Sequence, residues 1–160
     1  MLKLYHNLYT FHLSKVGFNC KLINGMRFAL VKPKGIEMSM AKKILIVDNN
    51  ELMIEVMTYI LTANGYDVVS FHDAGNIFAE IKTSHPDLVI LDVLLPGLDS
   101  LEICKLIKLN RNTKNLPVII CLPGEDVGTA LNQKGAPDDV LLKPFGINNL
   151  IEKVEYQLAA

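Results

Sequence analysis

From about Lys42 onward the sequence predicts a doubly wound α/β fold, a five-stranded parallel sheet with helices on both faces. Two observations predict it. Short, branched apolar runs alternate five times with longer amphipathic stretches over the last 120 residues. The runs are continuously apolar rather than alternating with polar residues, which is the pattern of strands covered on both faces. Right-handed crossovers then give a doubly wound sheet, and ligands in such sheets sit outside the carboxyl ends of the strands.

The elements follow in order. Lys43–Val47 (KILIV) is the first strand and stops at the polar cluster Asp48-Asn49-Asn50. A helix is predicted over Glu51–Asn64, with Leu52, Val56 and Ile60 on one face, Met53 and Met57 beside it, and Gly65 as the stop. Asp67–Phe71 is the second strand. Gly75–Ser84 is a helix with Ile77, Phe78 and Ile81 on one side, ended by His85-Pro86. Asp87–Leu91 (DLVIL) is the third strand, followed by Asp92 and a loop containing Pro96-Gly97. Ser100–Leu109 is a helix burying Leu101, Cys104 and Ile107, with the Lys108 stem at its edge. Leu116–Cys121 (LPVIIC) is the fourth strand, and a weak helix is expected over Asp126–Lys134. Val140–Leu142 is a short fifth strand. Gly146–Leu158 is the last helix, with Ile147, Leu150, Ile151, Val154 and Leu158 at helical spacing.

The chain of 160 residues is half apolar and about one-fifth charged, which is globular composition. Its net charge of -1 conceals an asymmetry. Residues 1–40 carry six Lys/Arg against the single acid Glu37, leaving ten basic and sixteen acidic groups in 41–160. An acidic domain gives no electrostatic reason for direct nucleic-acid binding; it suits a partner protein, or carboxylates converging on a cation. Residues 1–40 show no sustained period, although Met26–Val31 reads as a short strand. They are taken as a basic N-terminal extension, poorly ordered or not native, and 41–160 as the folded domain. The alternative is a basic arm for nucleic acid or an anionic membrane. Cys20, Cys104 and Cys121 have no metal-ligand spacing, and the latter two read as buried thiols of a reducing, cytoplasmic compartment. No apolar run reaches the roughly 18–20 residues of a membrane span.

The chemistry gathers where the strands end. Asp48 and Asn49 follow the first strand, Asp92 the third, Leu122 and Pro123 the fourth, and Lys143 and Pro144 the fifth. Taken singly, an Asp after a strand serves equally as a helix cap or turn former. Taken together, two carboxylates on neighbouring strands repel, so they share a proton or bind a cation. Mg²⁺ suits the site: it takes one or two carboxylates with carbonyls and water, and leaves room for a phosphate. Lys143 brings a positive charge able to pair with Asp92 or with a phosphoryl oxygen.

ILIVDNNE, DLVILDVLLPGLDSLEICKLI, LPVIIC and LLKPF, in this order and spacing, resemble the motifs of bacterial response-regulator receiver domains over three quarters of the chain. The resemblance implies a flavodoxin-like receiver fold with strand order 2-1-3-4-5. It implies that Asp92 accepts a phosphoryl group, that Asp48 belongs to the acidic pair holding Mg²⁺, and that Lys143 contacts the phosphoryl group. It further implies a metal contact from the Leu94 backbone carbonyl and a cis peptide before Pro144. The partners it implies are a histidine kinase or phosphotransfer protein and an output protein. A surface on the fourth helix, the fifth strand and the last helix is expected to meet the output protein, with the domain a monomer or weak dimer. With no output domain after Ala160, a stand-alone receiver is expected.

The sequence departs from the family within the site. Asn49 replaces the second acid, weakening a metal site by one charge. Leu122 replaces the hydroxyl residue that bonds the phosphoryl group, Pro123 replaces the small residue after it, and Val140 replaces the switching aromatic. Ser100 replaces a glycine. The stretch from Leu122 to Gly135 runs short of the family's spacing, and Pro137 reads as an insertion. Two functions follow: phosphoryl acceptance on Asp92 with an altered output, or a phosphorylation-independent docking module. An Asp-nucleophile phosphatase of the haloacid-dehalogenase kind is a third reading. It lacks the acid expected two residues beyond the nucleophile, where Leu94 stands. On the receiver reading the domain is not an enzyme beyond slow self-dephosphorylation.

Overall fold

Branched apolar runs and interposed amphipathic stretches produce the sheet and helices that their periodicity predicts. The structure, a computed structural model, describes residues 41–97, 99–124, 131–132 and 134–159. Residues 1–40, including Cys20 and the strand expected over Met26–Val31, lie outside the described residues, as does most of the helix expected over Asp126–Lys134.

Five strands are described: β1 (Lys43–Val47), β2 (Asp67–Phe71), β3 (Leu88–Asp92), β4 (Val118–Pro123) and β5 (Asp139–Lys143). They pair in parallel in the order β2-β1-β3-β4-β5. The described helices are α1 (Glu51–Ala63), α2 (Ile77–Ser84), α3 (Ser100–Leu109) and α4 (Ile147–Ala159). The strand order reverses between β1 and β3, so their carboxyl ends open the crevice where such sheets hold ligands.

Two apolar cores flank the sheet. On one face Leu45, Val89, Leu91, Ile120 and Leu122 pack with Ile77 and Ile81 of α2 and with Ile103, Cys104 and Ile107 of α3. On the other, Ile44, Ile46, Ile90, Ile119 and Leu141 pack with Met57 and Leu61 of α1 and with Leu150 and Val154 of α4. The central strands are buried on both sides, which is why their sequences do not alternate.

Several elements differ from expectation. In α1 the buried residues are Ile54, Met57, Ile60 and Leu61, whereas Leu52 and Val56 are 67% and 44% exposed. The helix is apolar on most sides, so periodicity alone admits two faces and packing selects one. Phe78 and Ile147 are likewise largely exposed, while Gln157 takes a buried place on α4. The α2 helix begins at Ile77, because Asp73 Oδ1 accepts the Gly75 amide at 2.9 Å and forms a turn there. Asp92, Leu122, Pro123 and Lys143 lie inside their strands rather than beyond them. Gly65 does end α1: at φ +89° its amide bonds the Thr62 carbonyl, and the Tyr66 amide bonds that of Leu61.

Carboxylates pin the end of the sheet opposite the crevice. Asp87 Oδ1 accepts from Lys42 Nζ and Oδ2 from the Lys43 amide, each at 2.8 Å. Asp138 accepts from Lys108 Nζ at 2.8 and 2.9 Å and from the Val118 amide at 2.8 Å, tying β4, β5 and α3 together. Burial acts to raise the Asp87 pKa, but the Lys42 and Lys43 bonds and charges outweigh it and hold it below 3.8. That stabilisation is present above the ordinary carboxylate value and is lost as pH falls through the folded-state value. With a third of the side chain exposed, about 1 kcal/mol or less is expected. Asp87→Asn should therefore lower stability at neutral pH, with the difference from the unmodified protein vanishing in acid denaturant titrations.

Gly135 has φ +79°, and a Cβ there would lie 3.0 Å from Lys105 Cγ and 3.1 Å from Lys105 Cα. Gly135→Ala is expected to cost about 2 kcal/mol, combining left-handed strain with displacement of α3. Its thermal midpoint should fall by several degrees, and an unchanged midpoint would place the loop away from α3.

Candidate functional site

Parallel pairing brings the ends of β1, β3 and β5 to one rim. There the apolar runs give way to charge: Asp48 directly after β1, Asp92 at the end of β3, and Lys143 at the end of β5. Both carboxylates are buried, Asp48 at 1% and Asp92 at 3% exposure. Lys143 Nζ lies 2.9 Å from Asp48 Oδ2 and 3.1 Å from Asp92 Oδ1. The first contact is an aligned hydrogen bond; the second is an ion pair without that alignment, and Asp92 Oδ1 has no hydrogen-bond donor among the described residues.

Burial acts against the charge on Lys143, but its close contacts with the Asp48 and Asp92 carboxylates and their negative charge outweigh this and hold its pKa above 10.5. The peptide before Pro144 is cis. Asp48 Oδ1 accepts the Asn50 amide at 2.8 Å, and Asn50 Oδ1 accepts the Met53 amide at 3.2 Å, capping α1. Asn50 is thus the cap, which frees Asp48 for the site. An Asn directly before an apolar helical run is the sequence signal of such an N-cap.

Asn49 sits beside Asp48 with its side chain exposed. Leu94 lies in the turn after β3, its side chain 59% exposed. Leu122 and Val140, at 7% and 5% exposure, belong to one apolar cluster, with Leu142 packed against it. Ser100, at the glycine position of the resemblance, is buried, and its hydroxyl has no partner among the described residues. Cys121 pairs with Asp92 across the β3–β4 ladder. Burial pushes its thiol up to about 12, against Lys143 and with the Asp92 and Asp48 charges. Burial, with the Asp138 charge, does the same for Cys104, so both described thiols are unreactive.

Two buried carboxylates share one ammonium, so the site holds an uncompensated negative charge. With the unpaired Asp92 oxygen, that is a chemical fit to a hard divalent cation, although no cluster of three His, Cys, Asp or Glu ligands occurs among the described residues. Two buried acids and a lysine thus meet at the crevice of a doubly wound parallel sheet.

Residues 44–155 match the family described as the response regulator receiver domain, and the chain belongs to that family. The chain is 33% identical over 117 residues to the alkaline phosphatase synthesis transcriptional regulatory protein PhoP of Bacillus subtilis, covering 72% of this chain and 48% of that protein. It is 28% identical to the DNA-binding response regulator MtrA of Mycolicibacterium smegmatis, covering 75% of this chain and 52% of that protein. The chain therefore spans about half the length of these curated relatives. A putative response regulator from Chloroflexus aurantiacus superposes with TM-score 0.69 at 30% identity, covering 75% of this chain and 99% of that one. The signal receiver domain of a histidine kinase from Syntrophus aciditrophicus gives 0.68 at 27% identity, covering 74% and 91%. The receiver fold and strand order expected from the sequence are those observed, and the phosphatase reading gives way to receiver-domain signalling. No described helix is long and apolar enough to cross a membrane.

Proposed function

We propose that Asp92 is the phosphoryl acceptor of this receiver, charged from the phosphohistidine of a histidine kinase or phosphotransfer protein, with Mg²⁺ as cofactor. The observation that carries this reading is the Lys143 ammonium set against two buried carboxylates from adjacent strands. An Asp92 carboxylate oxygen attacks phosphorus in line, the P–N bond breaks, and the imidazole leaves with the electron pair. Lys143, already within 3.1 Å of Asp92, exchanges a carboxylate oxygen for a phosphoryl oxygen as charge builds there. Asp48 holds Lys143 at the rim and, with Asn49, Asp92 and the Leu94 carbonyl, is the set that would hold Mg²⁺. When bound, the metal neutralises charge on the transferring phosphoryl oxygens. Asn49 contributes no charge, so weak metal binding is expected.

Incubation with a small-molecule phosphodonor and Mg²⁺ should add ~80 Da, the mass of one phosphoryl group, and Asp92→Asn should abolish the adduct. A second reading, a phosphorylation-independent docking module, is favoured by the apolar Leu122 and Val140. Failure of the unmodified protein to take up the adduct would support that reading instead.

A further inference from the structure

Along one edge the sheet is open beside α1. Among the described residues β2 pairs only with β1, in an unbroken parallel register. The Asp67 amide bonds the Lys42 carbonyl at 2.9 Å, and the Phe71 carbonyl accepts the Asp48 amide at 3.2 Å. Asp67, Val69 and Phe71 thus turn their backbone groups to β1, and Val68 and Ser70 turn theirs outward. Edge strands are ordinarily blunted by lysine, proline or a bulge. The opposite edge, β5, lies between Pro137 and Pro144, whereas β2 (DVVSF) has none of these devices. Beside the open edge runs a groove of about 640 Å³ with mostly apolar walls, lined by Ile54, Glu55, Thr58, Tyr59 and Thr62 of α1 and by Ser70 of β2. The Thr58 hydroxyl is buried and has no partner among the described residues. By contrast, Thr83 and Ser84 of α2 bond the carbonyls four residues back at 2.9 and 2.7 Å. A buried hydroxyl left unpaired in this way calls for a partner from outside.

The charge along this edge is one-sided. From Ile44 to Ile81 there is no Lys or Arg, against six acids: Asp48, Glu51, Glu55, Asp67, Asp73 and Glu80. We infer that the β2 edge and the adjoining groove form a docking surface for an extended, basic segment of a partner protein, which adds to the sheet beyond β2. The segment's backbone pairs with Val68 and Ser70. Residues opposite those two share their face of the sheet. Val68 packs on the α1 side and Ser70 lines the groove, so alternate side chains of the segment enter the groove. A hydroxyl or amide there meets Thr58, and a Lys or Arg meets the exposed Glu55. A second copy of this chain fits less well. Two-fold pairing of β2 with itself, Val68 opposite Ser70, would bring two α1 helices to one face, each with Glu51 and Glu55 and no cation. The docking is independent of phosphoryl chemistry at Asp92.

The test uses the full chain and two end-blocked heptapeptides, Thr-Lys-Thr-Val-Thr-Lys-Thr and the same peptide with glutamate for lysine. Alternation sets valine between two charged side chains on one face, whichever way the peptide runs. With millimolar lysine peptide, amide exchange at Val68 and Ser70 is expected to slow at least about tenfold, while Val69, already turned to β1, changes little. The lysine peptide is expected to bind about fivefold more tightly than the glutamate peptide, and Glu55→Lys to reverse that order. Ser70→Pro removes an outward amide without touching the β1 ladder, and is expected to weaken binding at least about tenfold. Where Ser70→Pro does not fold, Glu55→Lys decides alone. Unchanged exchange at Val68 and Ser70 would overturn the inference. So would equal binding of the two peptides, or an order that Glu55→Lys leaves unreversed. Protection that grows with protein concentration without peptide, at a doubled mass in sedimentation, would overturn the partner segment in favour of a second copy.

Discussion

Replacing Lys143 with methionine is expected to destabilise the domain by about 3–5 kcal/mol in the absence of divalent cation, because removing one partner strands charges that are buried. Lys143 is the ammonium between Asp48 and Asp92, whose side chains are 1% and 3% exposed. Methionine keeps most of the volume and apolar stem, so the loss reports the charge rather than a cavity. The stranded carboxylates must then share a proton or draw in a cation. Mg²⁺ should accordingly recover a larger share of stability in Lys143→Met than in the unmodified protein, where it competes with the ammonium. The lysine's folded-state pKa is raised, so its contribution is complete below 10.5 and is lost only as pH rises through the folded-state value. The lysine's own titration therefore adds no slope across neutral pH, and a difference between the two proteins that narrows toward acid pH in urea titrations would report proton uptake by the stranded carboxylates. A loss below about 1 kcal/mol would show that solvent already screens the pair.

What made this site legible in the sequence is the abruptness of its edges. KILIV gives way to Asp48, LVIL to Asp92 and VLL to Lys143, and a parallel sheet must bring those transitions to one rim. The helix faces were less legible. In α1, ELMIEVMTYILTA presents apolar side chains nearly all round, and only contact with β1 and β3 distinguishes Ile54 and Met57 from Leu52 and Val56. Long-range polar clamps were not legible at all. Lys108 and Asp138 stand 30 residues apart, and nothing local marks their meeting. The substitutions at Leu122 and Val140 were visible as departures from a motif. Their consequence, a core that continues beneath the site, depends on side-chain direction within β4 and β5 and emerges only from packing.

That consequence gives the second large effect. Leu122→Thr is expected to cost about 3 kcal/mol, since it removes buried carbon and places a hydroxyl among apolar neighbours. The substitution supplies the group that the family resemblance places beside the acceptor, so its cost and its gain should separate by condition. Without ligand, the hydroxyl has Val140 and Leu142 as cluster neighbours and little to bond. With beryllofluoride and Mg²⁺, the bound anion offers an acceptor, and the penalty should shrink by about 1 kcal/mol, the net worth of one hydrogen bond. Urea unfolding of both proteins with and without beryllofluoride measures the four stabilities of this cycle. A ligand-independent penalty would mean that the position 122 side chain points into the core whatever its chemistry. The strand geometry of β4, rather than the identity of one residue, would then be what separates Asp92 from the rest of the sheet.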